Sequence, residues 1–282
     1  MFPTIQNFAL RTCYYLRYNF LIMTEQTTHA TADPSSRTPV LVSWSSGKDS
    51  AWTFHTLRQQ DERYDVRGIF TTVTKTFDRV SIHSTPSWIL KLQSEKLGVP
   101  LYEIPIPYPC SNAQYEAAML QFLDRVRGLP EHLTVSHFAF GDLFLEDIRR
   151  YREDKLNGTG FTPLFPIWGQ DTPTLAQEMI ASGVRAIVTA LNPTKLPAEF
   201  AGRWFDRQFL ADLPAEVDPL GENGEFHTCV TDGPMFTSPI EAQPGRIVQR
   251  DIVSADDDDS SDTIHARNPS PTYIYADVEL IN

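Results

Sequence analysis

Cysteine is scarce in this chain: Cys13, Cys110 and Cys229 are the only three among 282 residues. They lie far apart and make no CxxC pair, which excludes a disulfide framework and suits a reducing cytosol. Positive charge is also in short supply. Twenty-four Lys and Arg stand against 36 Asp and Glu, for a formal charge of −12. That balance excludes the basic surface a nucleic-acid-binding protein needs. No apolar run is long enough to span a membrane, and the nearest candidate, 8–23, is short and interrupted by Arg11 and Arg17. Acidic residues are missing before Glu25, as in an organelle transit peptide, but Met23 offers an alternative start. The preferred reading is a leader without fixed structure over 1–38.

What is present begins at Val40–Ser50, Val-Leu-Val-Ser-Trp-Ser-Ser-Gly-Lys-Asp-Ser. Val40, Leu41 and Val42 suit a buried parallel strand. Ser45, Ser46 and Gly47 allow a tight turn, and Ala51, Phe54 and Leu57 then recur at helical spacing. Strand, small-residue loop and helix start together aim backbone N–H groups and a helix dipole at an anion. Lys48 adds a positive charge, and Ser45, Ser46 and Ser50 add hydroxyls. The stretch is not a Walker A loop, because Asp49 follows Gly47-Lys48 and no earlier glycine is in place. An Asp in a phosphate cradle calls for a metal ion or a helix terminus to offset its charge. The motif resembles the Ser-Gly-Gly-x-Asp-Ser signature of the PP-loop ATP pyrophosphatases, with Ser46 in place of the first glycine. That replacement is expected to be tolerated if the residue keeps a negative φ.

From Val40 onward strand and helix patterns alternate. Strands are expected at 66–73, 101–106, 133–140, 163–167 and 186–191. A helix opened by Thr85-Pro86 and closed by Gly98 is followed by helices over 113–127, 146–155 and 173–182. Such βαβ repetition implies a doubly wound parallel sheet, α/β in class, whose ligands sit at the carboxyl ends of the strands. The ATP-binding domain is placed at 39–192. A smaller α+β region follows at 193–252, with short strands at 226–231 and 247–253. Residues 251–282 carry a net charge of −7, with the run Asp256–Asp259 among them. Residues 253–282 therefore read as a flexible acidic tail.

Two further stretches are rich in polar groups. Asp142 falls at a strand end after Gly141, able to hold a metal or an amine, with Glu146 and Arg149 at i, i+3 on the next helix. The competing reading is acidic residues complementing a helix N-terminus and a surface pair between Glu146 and Arg149. In Gly221-Glu222-Asn223-Gly224-Glu225-Phe226-His227-Thr228, Glu225 and His227 share a face if Glu225 begins a strand, making an acid/base or substrate-gripping pair. A plain Gly-Asn turn explains Asn223-Gly224 but not Phe226-His227-Thr228.

These stretches, with Arg79-Val80-Ser81-Ile82-His83, Pro163-Leu164-Phe165-Pro166-Ile167-Trp168-Gly169 and Asp232-Gly233-Pro234, form an ordered set. The set resembles the diphthine–ammonia ligase family over roughly 40–252. The resemblance implies a HUP-type fold and ATP with Mg²⁺ at Ser45, Ser46, Gly47, Lys48, Asp49, Ser50 and His83. It implies activation of a carboxylate as an acyl-adenylate, and displacement of AMP by ammonia with Asp142, Glu146, Glu222, Glu225 and His227 as catalytic candidates. Without a glutaminase domain or leading catalytic Cys, the nitrogen would come from free ammonia. Leu220 stands where such relatives often carry Cys. The Phe-His-Thr ending resembles the bacterial-type branch rather than the archaeal Phe-Glu-Thr form. The acyl substrate is accordingly diphthine on elongation factor 2 if the organism makes diphthamide, and otherwise another carboxylate. A cytoplasmic location is expected, and a homo-oligomer stays open. The rivals are a PP-loop tRNA sulfurtransferase, disfavoured by the missing paired cysteines and basic surface, and a non-catalytic nucleotide-binding protein.

Overall fold

In the computed structural model, Val40, Leu41 and Val42 are fully buried in β1 (Thr38–Ser43), which pairs in parallel with β2 (Tyr64–Thr74) and β5 (His137–Ala139). The structure describes residues 37–74, 79–80, 85–251 and 272–281. His83 and all but the last two residues of the expected leader lie outside them. The sheet is completed by β3 (Arg79–Val80), β4 (Leu101–Ile106) and β6 (Thr162–Leu164). The order is β3-β2-β1-β5-β6, with β4 also pairing to β2, and every ladder is parallel except the short β2–β3 one.

Alternation along the strands sorts side chains to two covered faces. Val40, Val42 and Ala139 pack with Ala51, Phe54 and Leu57 of α1 (Lys48–Arg58). Leu41, Phe70, Phe138 and Phe140 face the other way, toward Phe122, Leu123 and Val126 of α3 (Asn112–Arg127) and Leu156 of α4 (Glu146–Leu156). The helices after β1 and β5 thus leave to opposite faces, which opens a crevice between the carboxyl ends of these neighbouring strands. As expected, α2 (Ser87–Leu97) begins after Pro86 and stops at Gly98, whose φ of 69° suits glycine.

Two expectations need correction. Strand β7 (Arg185–Leu191) does not extend the parallel sheet. It lies inside a second, antiparallel sheet with β8 (Phe226–Asp232), β9 (Ala242–Asp251) and β10 (Thr272–Leu280), in the order β8-β7-β10-β9. Its continuous apolar run reflects two covered faces, not parallel neighbours. Likewise 272–280, assigned to a flexible tail, is a strand whose alternate residues Ile274, Ala276 and Val278 are buried.

The two sheets are joined at the loop after β1. Gln93, on α2 and fully buried, accepts hydrogen bonds from the Trp44 indole (2.9 Å) and the Ser46 hydroxyl (2.8 Å). Its amide donates to the Val230 carbonyl of β8 (2.7 Å) and to the Ser46 carbonyl (3.3 Å). Replacing Gln93 with Leu leaves the Trp44 N–H and two carbonyls short of partners in the interior, at a cost of ~3 kcal/mol. The melting temperature should fall by about 6–12 °C in a chain of this size. A thermal melt followed by circular dichroism checks this, and an unchanged midpoint would show that Gln93 is not the joint.

Candidate active site

Helix α1 starts without a side-chain cap: its N-cap is Gly47, and the first intrahelical bond runs from the Ala51 N–H to the Gly47 carbonyl. Of the earlier amides, the Lys48 N–H donates to the Thr228 hydroxyl (3.1 Å). The Asp49 and Ser50 N–H groups precede the first helical bond, the position at which a helix takes an anion, and the Asp49 N–H also bonds its own carboxylate. Gly47 sits close to β8, since a Cβ there would meet the Thr228 carbonyl oxygen at 3.1 Å, tighter than an ordinary contact. Gly141 is equally tight, its absent Cβ lying 3.0 Å from the Asp49 backbone, so the end of β5 passes directly against the first turn of α1.

Ser46 departs from expectation. Its φ is +73°, the one positive φ outside glycine among the described residues. Such a conformation costs a side-chain-bearing residue about 1–2 kcal/mol. The Gln93 bonds and the Val230 N–H donating to the Ser46 carbonyl (2.9 Å) hold it in place.

Lys48 is also placed differently from the sequence reading. Its side chain is buried and turned away from the crevice. The ammonium donates to Leu220 O (2.5 Å) and to Asp49 Oδ2 (3.0 Å) and lies 5.2 Å from the centre of the Phe226 ring. Because the Leu220 contact is to its carbonyl, a Leu at 220 serves as well as any side chain.

Above the loop lies a cavity of about 270 Å³. Ser43, Ser45, Asp49 and Ser50 line it from β1 and α1, and Phe140, Gly141 and Asp142 from the end of β5. Glu222 and His227 enter from the segment preceding and starting β8, and Arg152 from α4. Of the candidates, then, Ser45, Asp49, Ser50, Asp142, Glu222 and His227 converge. Ser46, Gly47 and Lys48 shape the floor from behind. Glu146 is exposed on α4 outside the lining, and Arg149 pairs with Glu153 (2.8 Å) instead. Glu225 is buried and builds the loop, accepting from the backbone N–H of Asn223 (2.9 Å) and of Asp218 (3.3 Å). Asp218 completes the same loop by accepting from the N–H groups of Leu220 (2.9 Å) and Glu222 (3.3 Å).

Arg152 was missed by sequence reading. It sits ten residues after Asp142, where α4 returns its second turn to the strand end, and its Nε lies 3.7 Å from Asp142 Oδ2. That is an ion pair, but too long for a hydrogen bond. Both atoms are buried without hydrogen-bond partners, as is Asp49 Oδ1.

The carboxylates resist ionisation together. Burial raises the pKa of Asp49 and of Asp142, where Arg152 opposes the shift and Asp49 adds to it. Glu222 is pushed up to about 9 by burial and by Asp49, with smaller contributions from Asp218 and Asp142 against the Lys48 charge. His227 is lowered to about 4 by burial and the Lys48 charge, so its imidazole is neutral near pH 7. Cys229 is raised to about 12 by burial, which leaves an unreactive thiol.

The chain is similar to known proteins over part of its length. Residues 171–253 match the family model described as the diphthamide synthase C-terminal domain, a span that holds the Gly221–His227 segment. The chain is 24% identical over 164 residues to the diphthine–ammonia ligase of Schizosaccharomyces pombe, covering 57% of this chain and 27% of that protein. It is 25% identical over 175 residues to the diphthine–ammonia ligase of Bos taurus, covering 56% of this chain and 64% of that one. It therefore spans about a quarter of the length of the first relative and just under two thirds of the second. These similarities support a diphthamide-synthase-like protein at the level of family. Among the described residues no helix is long and apolar enough to cross a membrane.

Two stability measurements follow from this geometry. Ser46→Ala and Ser46→Gly both lose the hydroxyl bond, but only Ala retains the left-handed strain. The Gly variant should therefore be the more stable of the two by about 1 kcal/mol in urea titration, and equal stabilities would remove the strain argument. For Glu222 in the unliganded protein, a folded pKa of about 9 against the ordinary 4.5 means the acid is protonated on folding. Its contribution is complete below the ordinary value and is lost as pH rises toward 9. Gln does not titrate, so the gain in melting temperature of Glu222→Gln over the parent should grow between pH 5 and pH 9. A pH-independent gain would show that Glu222 ionises normally.

Proposed function

We propose that the protein is an ATP-dependent, AMP-forming carbon–nitrogen ligase of the diphthine–ammonia ligase type. The observation that carries this reading is the convergence, at the junction of β1 and β5, of an uncapped helix N-terminus with three carboxylates, a guanidinium and a neutral imidazole. The phosphates of ATP would lie on the Asp49 and Ser50 N–H groups and the Ser45 and Ser50 hydroxyls, in the PP-loop manner of a HUP-type domain. With Lys48 turned inward, Arg152 is the cation that lines the cavity beside them. Asp49 and Asp142 fit a Mg²⁺ ion, since each presents a buried carboxylate oxygen lacking a hydrogen-bond partner. No group of three acidic, His or Cys side chains encloses an ion among the described residues. That suits Mg²⁺, which takes one or two carboxylates and draws its other ligands from phosphates and water. Bound there, the ion would neutralise charge on the leaving pyrophosphate.

The substrate carboxylate oxygen would attack the α-phosphorus, releasing pyrophosphate and leaving an acyl-adenylate. Ammonia would then attack the acyl carbon and AMP would leave. Nitrogen reaches the site mainly as ammonium, which the carboxylate-lined cavity attracts. Glu222, once the entry of a cation has released its own proton, would accept the proton from ammonium. Neutral His227 would take a proton released as the amide forms. The acyl substrate is diphthine in an organism that makes diphthamide and another carboxylate in one that does not. The Phe226-His227-Thr228 sequence, of the bacterial-type form, favours the latter.

Calorimetric ATP titration and ammonium-dependent AMP release test the reading. Asp49→Asn should weaken Mg-ATP binding. Glu222→Gln should leave ATP affinity within about threefold of the parent yet lower amide formation by about a hundredfold, the scale of a lost general base. Full amide formation by Glu222→Gln would remove its assigned role, and absence of ATP binding by the parent chain would remove the ligase reading.

A further inference from the structure

A second cavity, of about 280 Å³, lies between α3 and α4 on the α3-facing side of β5. It shares two residues with the first, Phe140 and Arg152, so the two cavities meet at that pair. Its floor is Phe138 and Phe140, and its walls include Met119 and Leu123 of α3 and Tyr151 of α4. The opening is not a frayed helix end. α3 is fixed at its start by a capping box between Ser111 and Gln114. Yet it buries only Phe122, Leu123 and Val126, all in its second half. Leu120, which also lines the cavity, is 57% exposed. The first half of α3 therefore stands off the sheet over an apolar hollow. The charged pair at the outer rim, Lys155 with Glu116 at 2.6 Å, is self-neutralised and gives the hollow no net charge of its own.

We propose that this cavity is the acyl pocket of the ligase site and takes the body of a small carboxylic acid with a compact apolar or aromatic side group. The proposal rests on the ligase reading above and gives its substrate a chemical class. The acid's carboxylate would lie at Arg152, the one cation common to both cavities. The guanidinium is stacked 4.9 Å from the centre of the Phe140 ring, and its Nε is held 3.7 Å from Asp142 without a hydrogen bond. A guanidinium whose Nε makes no hydrogen bond, fixed at the mouth of an apolar pocket, is placed to orient a carboxylate. The volume suits a compact acid and lies near the lower end of small-molecule sites. The adenine of ATP is a poorer occupant. The walls come from two helices whose backbone groups are bonded internally, so they offer no edge to pair with a base.

The probes are phenylacetate, hexanoate and acetate, with exchange of labelled pyrophosphate into ATP as the readout on the full chain. Phenylacetate or hexanoate should support exchange about tenfold more efficiently than acetate. Met119 is only partly buried, so both enlarging and filling substitutions there are compatible with folding. Met119→Trp should raise the KM for the bulky acids about tenfold, and Met119→Ala should shift preference toward longer ones, with ATP affinity unchanged in both. Equal exchange with acetate and indifference to both variants would overturn the acyl pocket while leaving the ligase reading standing. Weaker ATP binding in Met119→Trp would also overturn it, by making the hollow the adenine site. If none of the three acids supports exchange, the ligase reading stands or falls on its own tests above, and saturation-transfer NMR of phenylacetate decides the pocket alone. Binding abolished by Met119→Trp would support it, and absence of binding would refute it.

Discussion

A lysine buried at the first position of α1 sets the terms for the rest of the site. An ammonium taken out of water must find opposite charge and acceptors or it destabilises the fold by several kcal/mol. Lys48 finds the Asp49 carboxylate, the Leu220 carbonyl and the Phe226 ring face. Two of those three belong to the segment leading into β8. The second sheet must therefore close over the first at this point. Thr228 then accepts from the Lys48 N–H, Val230 donates to Ser46, and the loop between β1 and α1 is drawn into the left-handed turn at Ser46. A surface loop of the same sequence would have no reason to adopt that strain. Here the closure of one sheet on the other maintains it.

The same closure creates the electrostatics of the cavity. Asp49, Asp142 and Glu222 come from three separate segments; Asp49 makes both Asp142 and Glu222 harder to ionise, and Asp142 adds to the effect on Glu222. One guanidinium is too little to neutralise them, and it touches Asp142 only at ion-pair distance. Protons make up the balance, and Glu222 holds one until the pH nears about 9. Entry of a cation, whether bound with a nucleotide or as ammonium, would relieve the same repulsion and release protons. Cation binding and proton loss are thereby linked through one small volume. His227, held neutral beside them, is free of that competition.

The sequence revealed some of this and hid the rest for identifiable reasons. The β1–loop–α1 unit was legible because an apolar run, small residues and helical spacing follow one another within twenty residues. Asp142 stood out as a polar group at an expected strand end, and Glu222 as a carboxylate in a glycine-flanked polar stretch. Lys48 looks like a phosphate ligand in the sequence, and only tertiary contacts show its ammonium bonded to Asp49 and Leu220. Glu225 has the one-dimensional pattern of a catalytic carboxylate, and only the structure shows it accepting from the amides of Asn223 and Asp218. Arg152 needed the pitch of α4, which returns its side chain to the strand end. Strand β10 had a signal, the alternation of Ile274, Ala276 and Val278 with polar or aromatic neighbours. Averaging charge over 251–282 concealed it, since the acidic run lies upstream of the strand.

Division of labour between the two sheets explains why neither half of the chain reads as a complete site. The parallel sheet supplies an anion-ready helix terminus and a crevice, features common to many α/β proteins and therefore weak evidence of reaction type. The specific groups, Glu222 and His227, ride on the segment entering β8, within the span that matches the diphthamide synthase model. That segment is held by Asp218 and Glu225, whose carboxylates bond its amides, and by Lys48 from beneath. On the proposed reading, chemistry and nucleotide site would be joined by one buried cation. A change at Lys48 would be felt first as a displaced Glu222 and only secondarily at the phosphates, the reverse of what its place in the motif suggests.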